Sequence, residues 1–122
     1  MRILIADDNP LVRKGVRRIL SSQLNHEVCG EASDGTEVLR LAHMLLPDLV
    51  LLDVSMPGSG GLQAARILRR ELPQVKVLIM SHHDPNYLLS FVIEAGAHGY
   101  VDKSRLDSDL AATIGNIEQT RI

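Results

Sequence analysis

The chain has 122 residues, a length suited to one domain with a single core. Apolar residues at 45% and charged residues at 23% are typical of a soluble globular protein, and a net charge of −2 gives no support for broad adhesion to nucleic acid or membrane. The one cysteine, Cys29, rules out an internal disulfide and fits a reducing compartment; within its apolar run it reads as a small buried residue. No apolar run approaches ~20 residues and no basic-then-apolar leader opens the chain, so a cytoplasmic location is expected.

The opening MRILIADDNP predicts a short strand, Ile3 to Ala6, ended by two acids and a proline. From Pro10 to Leu24, Val12, Val16, Ile19 and Leu20 recur at helical spacing opposite Arg13, Lys14, Arg17 and Arg18, and Pro10 suits a first helical position. Residues 27 to 33 (EVCGEAS) read as a second, weaker strand. Asp34 then starts a helix carrying Val38, Leu41, Ala42 and Leu45, stopped by Pro47. Leu49 to Leu52 form a third strand, apolar on both faces, and Gly61 to Leu72 a third helix. Val75 to Met80 is a fourth strand, Asn86 to Ala95 a helix ending at Gly96, and Ala97 to Val101 a fifth strand. Ser104 begins the last helix, its apolar stripe being Leu106, Leu110, Ile114 and Ile117, and Ser104 with Asp107 resembles a capping box.

Five alternations of strand and helix with short connections predict an α/β fold, a parallel sheet covered by helices on both faces. In such sheets ligand groups gather at the carboxyl ends of the strands. Asp7 and Asp8 follow the first strand, Asp53 the third, Ser81 the fourth and Lys103 the fifth. If the strand order is 2-1-3-4-5, these polar tips converge. Three neighbouring carboxylates cannot all ionise cheaply, and a hard divalent cation relieves that repulsion. The lysine offers a positive charge and the serine a hydroxyl to an anion. Carboxylates also form aspartyl-phosphate intermediates, and phosphoryl transfer needs mainly positioning and charge neutralisation.

The motifs ADDNP, LLDVSMPG, VLIMS and GAHGYVDK, in this order across essentially all 122 residues, resemble the receiver domain of bacterial two-component response regulators. Their phrasing is most similar to the NarL/FixJ (LuxR-type) branch. The resemblance implies a flavodoxin-like doubly wound sheet of five parallel strands, order 2-1-3-4-5, with five helices, forming one receiver domain over residues 1–122. It implies that Asp53 accepts a phosphoryl group from a cognate histidine kinase. Mg2+, or Mn2+ in its place, would be held by Asp8, Asp53 and the backbone carbonyl of Ser55, with Asp7 acting through water. Ser81 and Lys103 would hold the phosphoryl oxygens, and Tyr100 would be the aromatic switch. The output surface would be the fourth helix, fifth strand and fifth helix, and a homodimer would form there or through the first and fifth helices. Transcription regulation would follow through a C-terminal DNA-binding domain, since residues 1–122 carry no basic recognition helix. No membrane partner and no turnover of an external substrate are expected.

Blander readings exist for each group. Asp7 and Asp8 could cap the first helix, Ser81 could be a turn residue, Lys103 could be a surface ion-pair partner of Asp102, and Tyr100 could simply be packed. His82 and His83 are adjacent on an extended chain and point to opposite faces, which argues against one shared metal. His82 instead stands where the family usually keeps a small residue, and with Ser55 it is a candidate for tuning the phosphoryl lifetime. Ser104 replaces a frequent proline, so a cis peptide at 103–104 is not expected, at a cost of about 3–4 kcal/mol. Gly60 should loosen the third loop. The fourth helix, with Leu88, Leu89, Phe91, Val92 and Ile93, is more apolar than one buried stripe requires. A flavin carrier is disfavoured by the acidic first loop and a dinucleotide enzyme by the missing G-x-G-x-x-G. A haloacid-dehalogenase-like phosphatase is disfavoured because the candidate nucleophile lies on the third strand. The remaining alternatives are a stand-alone receiver and a phosphorylation-independent interaction module.

Overall fold

A computed structural model describes residues 1–23, 25–56, 60–82 and 85–119. Its elements alternate: β1 (Arg2–Ala6), α1 (Pro10–Ser21), β2 (Glu27–Ala32), α2 (Gly35–Leu45), β3 (Leu49–Asp53), α3 (Gly61–Glu71), β4 (Lys76–Ser81), α4 (Pro85–Ala95), β5 (Gly99–Asp102) and α5 (Leu106–Gln119), with a 3-10 turn at Lys103–Arg105. The five strands are parallel in the order β2-β1-β3-β4-β5. This is a flavodoxin-like doubly wound sheet.

The period of two along each strand divides the core. Leu4, Ala6, Val50, Leu52, Val77 and Ile79 face one side, where α2, α3 and α4 cover them. Ile3, Ile5, Leu49, Leu51, Leu78 and Met80 face the other, against Val16 and Leu20 of α1 and Leu110, Ile114 and Ile117 of α5. Every residue of β3 is buried, as its continuous apolar run predicts. The register of edge strand β2 slips: Ile3 pairs with Val28 but Leu4 with Gly30, which leaves Cys29 as the extra residue of a bulge.

Local chemistry sets the helix ends. Asn9, not either aspartate, caps α1 by accepting from the Leu11 amide at 2.9 Å, with Pro10 at the first position. Asp34 caps α2 by accepting from the Glu37 amide, and Glu37 returns to accept from the Ser33 amide. That helix ends at Leu46, which takes a left-handed conformation (φ 47°) just before Pro47. The last helix corrects the sequence expectation. Ser104 does not form a capping box with Asp107; instead the Asp102 carboxylate accepts from both the amide and the hydroxyl of Ser104 and starts the 3-10 turn that leads into α5. All peptide bonds among the described residues are trans, the 103–104 bond included. No helix among them is long and apolar enough to cross a membrane.

Candidate functional site

The parallel order carries β1, β3, β4 and β5 to one rim, and their carboxyl ends deliver the polar groups there. Asp7, Asp53 and Ser81 are the buried polar residues among those described, and all three stand at this rim. Asp8, Ser55 and His82 are exposed around it. One carboxylate oxygen from each of Asp7, Asp8 and Asp53 can be taken so that all lie within 4.8 Å of one another. Lys103 closes the cluster from β5, its ammonium 2.6 Å from Asp7 Oδ2 and 3.1 Å from Asp53 Oδ1.

These contacts bear on two of the blander possibilities, helix capping by Asp7 and a Lys103–Asp102 ion pair. Asp7 does not cap α1: its Oδ1 accepts from the Asn9 amide at 2.9 Å, which braces the capping residue from behind. Asp102 turns to Ser104, so Lys103 is the partner of the two buried acids rather than of its neighbour.

At the tip of β3, Asp53 is only 1% exposed, and its two oxygens differ. Oδ1 accepts from the Ser55 amide at 3.1 Å and faces Lys103. Oδ2 has no hydrogen-bond partner among the described residues. Asp7 Oδ2 likewise accepts no well-directed hydrogen bond, although the Lys103 ammonium stands 2.6 Å from it. Burial raises the Asp53 carboxyl above its ordinary value, and the Asp7 charge adds to this against the Ser55 amide and Lys103. Burial also opposes the charge on Lys103, but its contacts with Asp7 and Asp53 outweigh that and hold the ammonium above its usual value. A buried oxygen without a partner, in a set of three hard oxygen donors, fits a divalent cation such as Mg2+ and does not fit a soft metal.

Two glycines mark the start of α3 beside this site. A Cβ at Gly61 would lie 1.9 Å from the Asp53 carbonyl oxygen, so α3 starts in direct contact with the backbone that carries Asp53. Gly60 before it takes φ +79°, a left-handed value that favours glycine. Residues 57–59 lie outside the described residues, as does His83. Tyr100, at 37% exposure, lines a cleft of about 300 Å3 with Asp102, Arg105 and Asn116. On α4, Leu89 and Ile93 are exposed and Val92 is half-buried; the side chains of Leu88 and Phe91 lie outside the described residues. The spacing rules do not single out Arg13, whose guanidinium reaches the Asp7 carbonyl at 2.7 Å, because its sequence signature is that of a solvated helix face.

The chain matches the family described as "Response regulator receiver domain" over residues 3–115. It is 39% identical over 114 residues to the uncharacterized transcriptional regulatory protein YxjL of Bacillus subtilis (strain 168), covering 93% of this chain and 52% of that protein. To the response regulator UvrY of Escherichia coli (strain K12) it is 38% identical over 117 residues, 96% of this chain and 54% of that one. The crystal structure of a two-component response regulator of the LuxR family from Aurantimonas sp. SI85-9A1 superposes with a TM-score of 0.89 at 37% identity, covering 95% of this chain and 83% of that one. The chain therefore spans about half the length of the curated relatives it matches. With its sheet order, its acidic rim and these matches, the chain belongs to the response regulator receiver domain family, in its NarL/FixJ (LuxR-type) branch.

Proposed function

We propose that residues 1–122 form one receiver unit that takes a phosphoryl group onto Asp53 from the phosphohistidine of a histidine kinase. The observation that carries this reading is the buried, unpartnered Oδ2 of Asp53, on a carboxylate whose other oxygen meets Lys103 and which clusters with Asp7 and Asp8. In the transfer, a bond forms between that oxygen and phosphorus as the P–N bond breaks, and the imidazole nitrogen keeps the electron pair. Asp8, Asp53 and the Ser55 carbonyl are the proposed ligands of Mg2+ (or Mn2+), with Asp7 acting through water; the ion supplies neutralisation of the phosphoryl charge. Lys103 then pairs with the phosphoryl oxygens, and Ser81, one residue beyond the Asp53–Met80 pair of the ladder, donates its hydroxyl to them. No external substrate is turned over.

The new group adds about −1.5 to −2 charge. Drawing Ser81 and Lys103 inward would move the β4–α4 connection and turn Tyr100 from its exposed position. The output face is α4, β5 and α5, where Leu89 and Ile93 are exposed, and a homodimer forms there or through α1 and α5. Relatives about twice as long, one named a transcriptional regulatory protein, support a DNA-binding output domain joined to this cytoplasmic unit. His82 and Ser55, both exposed at the rim, tune how long the phosphoryl group lasts. Incubation with acetyl phosphate and Mg2+ followed by intact-mass measurement tests the proposal. One added phosphoryl group is expected on the wild-type chain and none on Asp53→Asn. An unmodified wild-type chain would favour the phosphorylation-independent interaction module.

A further inference from the structure

The β1–α1 loop places two acids on consecutive residues, so the peptide plane between Asp7 and Asp8 governs where their carboxylates point. The Asp7 amide is still in the sheet, donating to the Ala32 carbonyl at 3.0 Å. Its carbonyl lies beyond the last pairing of β1 and is taken instead by Arg13 of α1, whose Nη1 donates to it at 2.7 Å. The same guanidinium donates through Nε to Glu31 Oε1 at 3.1 Å, and Glu31 sits on β2 opposite Ile5. Arg17 holds the other oxygen of Glu31, and this contact, ahead of that of Arg13, keeps the Glu31 carboxyl below its ordinary value.

We infer that Arg13, held by Glu31, is a positioning residue that fixes the Asp7–Asp8 peptide plane and so sets the arrangement in which the acids meet a divalent cation. The inference rests on the reading of the acidic cluster as the Mg2+ site, which the unpartnered buried oxygen of Asp53 supports independently. A guanidinium is suited to this role because its planar fork binds a carbonyl and a carboxylate at once, which an ammonium cannot do in the same geometry. Residues that orient metal ligands typically change metal affinity about 10–100-fold when replaced.

Charge and positioning act with opposite signs here, which makes the role testable. Removing a cation beside three carboxylates should by Coulomb attraction alone tighten Mg2+ binding; loosening the peptide plane should weaken it. Calorimetric titration with Mg2+ alone is expected to show affinity lowered about tenfold in Arg13→Gln. Arg13→Lys, which keeps the charge and loses the fork, should be weaker in the same direction. Arg18→Gln, on the exposed side of the same helix, should not weaken binding. In an Asp8→Asn background, Arg13→Gln should add nothing. Melting without Mg2+ identifies any variant that does not fold, and Arg13→Lys then carries the comparison. Undiminished affinity in both Arg13 variants, with Asp8→Asn still weakened, would overturn this inference alone. Undiminished affinity in Asp8→Asn would overturn the site reading and the inference with it.

Discussion

The two ends of the same parallel sheet treat charge in opposite ways. At the amino end Arg2, Asp48, Lys76 and His98 are tied off by hydrogen bonds. The Arg2 amide donates to Asp48 Oδ2 at 2.7 Å and its guanidinium to the Leu45 carbonyl at 2.7 Å, which covers the end of α2. The Asp48 backbone bridges Arg2 and Lys76, and the Lys76 ammonium donates to the Ile117 carbonyl near the end of α5. His98 donates its own amide to the Val77 carbonyl, while its Nδ1 accepts from the Val77 amide at 3.1 Å. At the carboxyl end, two buried aspartates share one lysine, and oxygens of both accept no well-directed hydrogen bond. Native structures leave few buried polar atoms unpaired, since each costs about 1–3 kcal/mol. One end is a scaffold; the other stores unfavourable electrostatics that a cation and a phosphoryl group would relieve.

The sharpest way to break this contrast is to neutralise the strained acid. Asp53→Asn is expected to abolish phosphoryl uptake completely, read by intact mass, and yet to stabilise the fold by about 1 kcal/mol, since it removes a buried charge. The sign can be checked against pH. The folded carboxyl is raised above 3.8, so the native state binds the proton more tightly and wild-type stability falls as pH rises through the shifted range. The advantage of the variant, measured by denaturant titration, should therefore close as the pH is lowered toward 3.8.

Gly61→Ala comes next. Its methyl would meet the Asp53 carbonyl at 1.9 Å, a backbone atom that cannot rotate away, so a loss of about 3 kcal/mol is expected together with weakened Mg2+ binding. Mg2+ itself should stabilise the wild-type chain by about 2.7 kcal/mol at a hundred times its Kd, and this gain should vanish in Asp8→Asn, read as the shift in Tm.

At the opposite end, His98→Ala leaves the Val77 amide without its acceptor and should cost about 1–3 kcal/mol at pH 8, with no effect on Mg2+ affinity. Burial first, then the Arg69 and Lys76 cations, hold the His98 imidazole below 6.5. Its contribution is thus present above pH 6.5 and lost as pH falls toward the folded value, so the gap between variant and wild type should narrow in acid.

Much of this arrangement was legible in the residue order. Apolar runs such as Leu49–Leu52, alternating with helical periodicity, are sufficient to propose a parallel sheet, because helices that connect successive strands cover both of its faces. The polar residues that follow each strand then fall on one rim. What stayed hidden were contacts decided by competition between near neighbours. Asn9 takes the cap of α1 because the Asp7 carboxylate is engaged by the Asn9 amide and Lys103. Asp102 wins the last cap from Ser104 for the same kind of reason, a carboxylate with two donors within reach. The bulge at Cys29 leaves no mark in the short run Val28-Cys29-Gly30, where no turn residue other than the glycine signals an extra position. Arg13 looks like any other cation on a basic helix face until α1 is docked beside the Asp7 carbonyl.

The central claim is that Asp53, rather than Asp7 or Asp8, takes the phosphoryl group. Borohydride reduction of the acyl phosphate after treatment with acetyl phosphate and Mg2+, followed by peptide sequencing in a mass spectrometer, tests it most directly. Homoserine is expected at position 53 and at no other acid. Reduction at position 7 or 8, or a label that persists in Asp53→Asn, would contradict it.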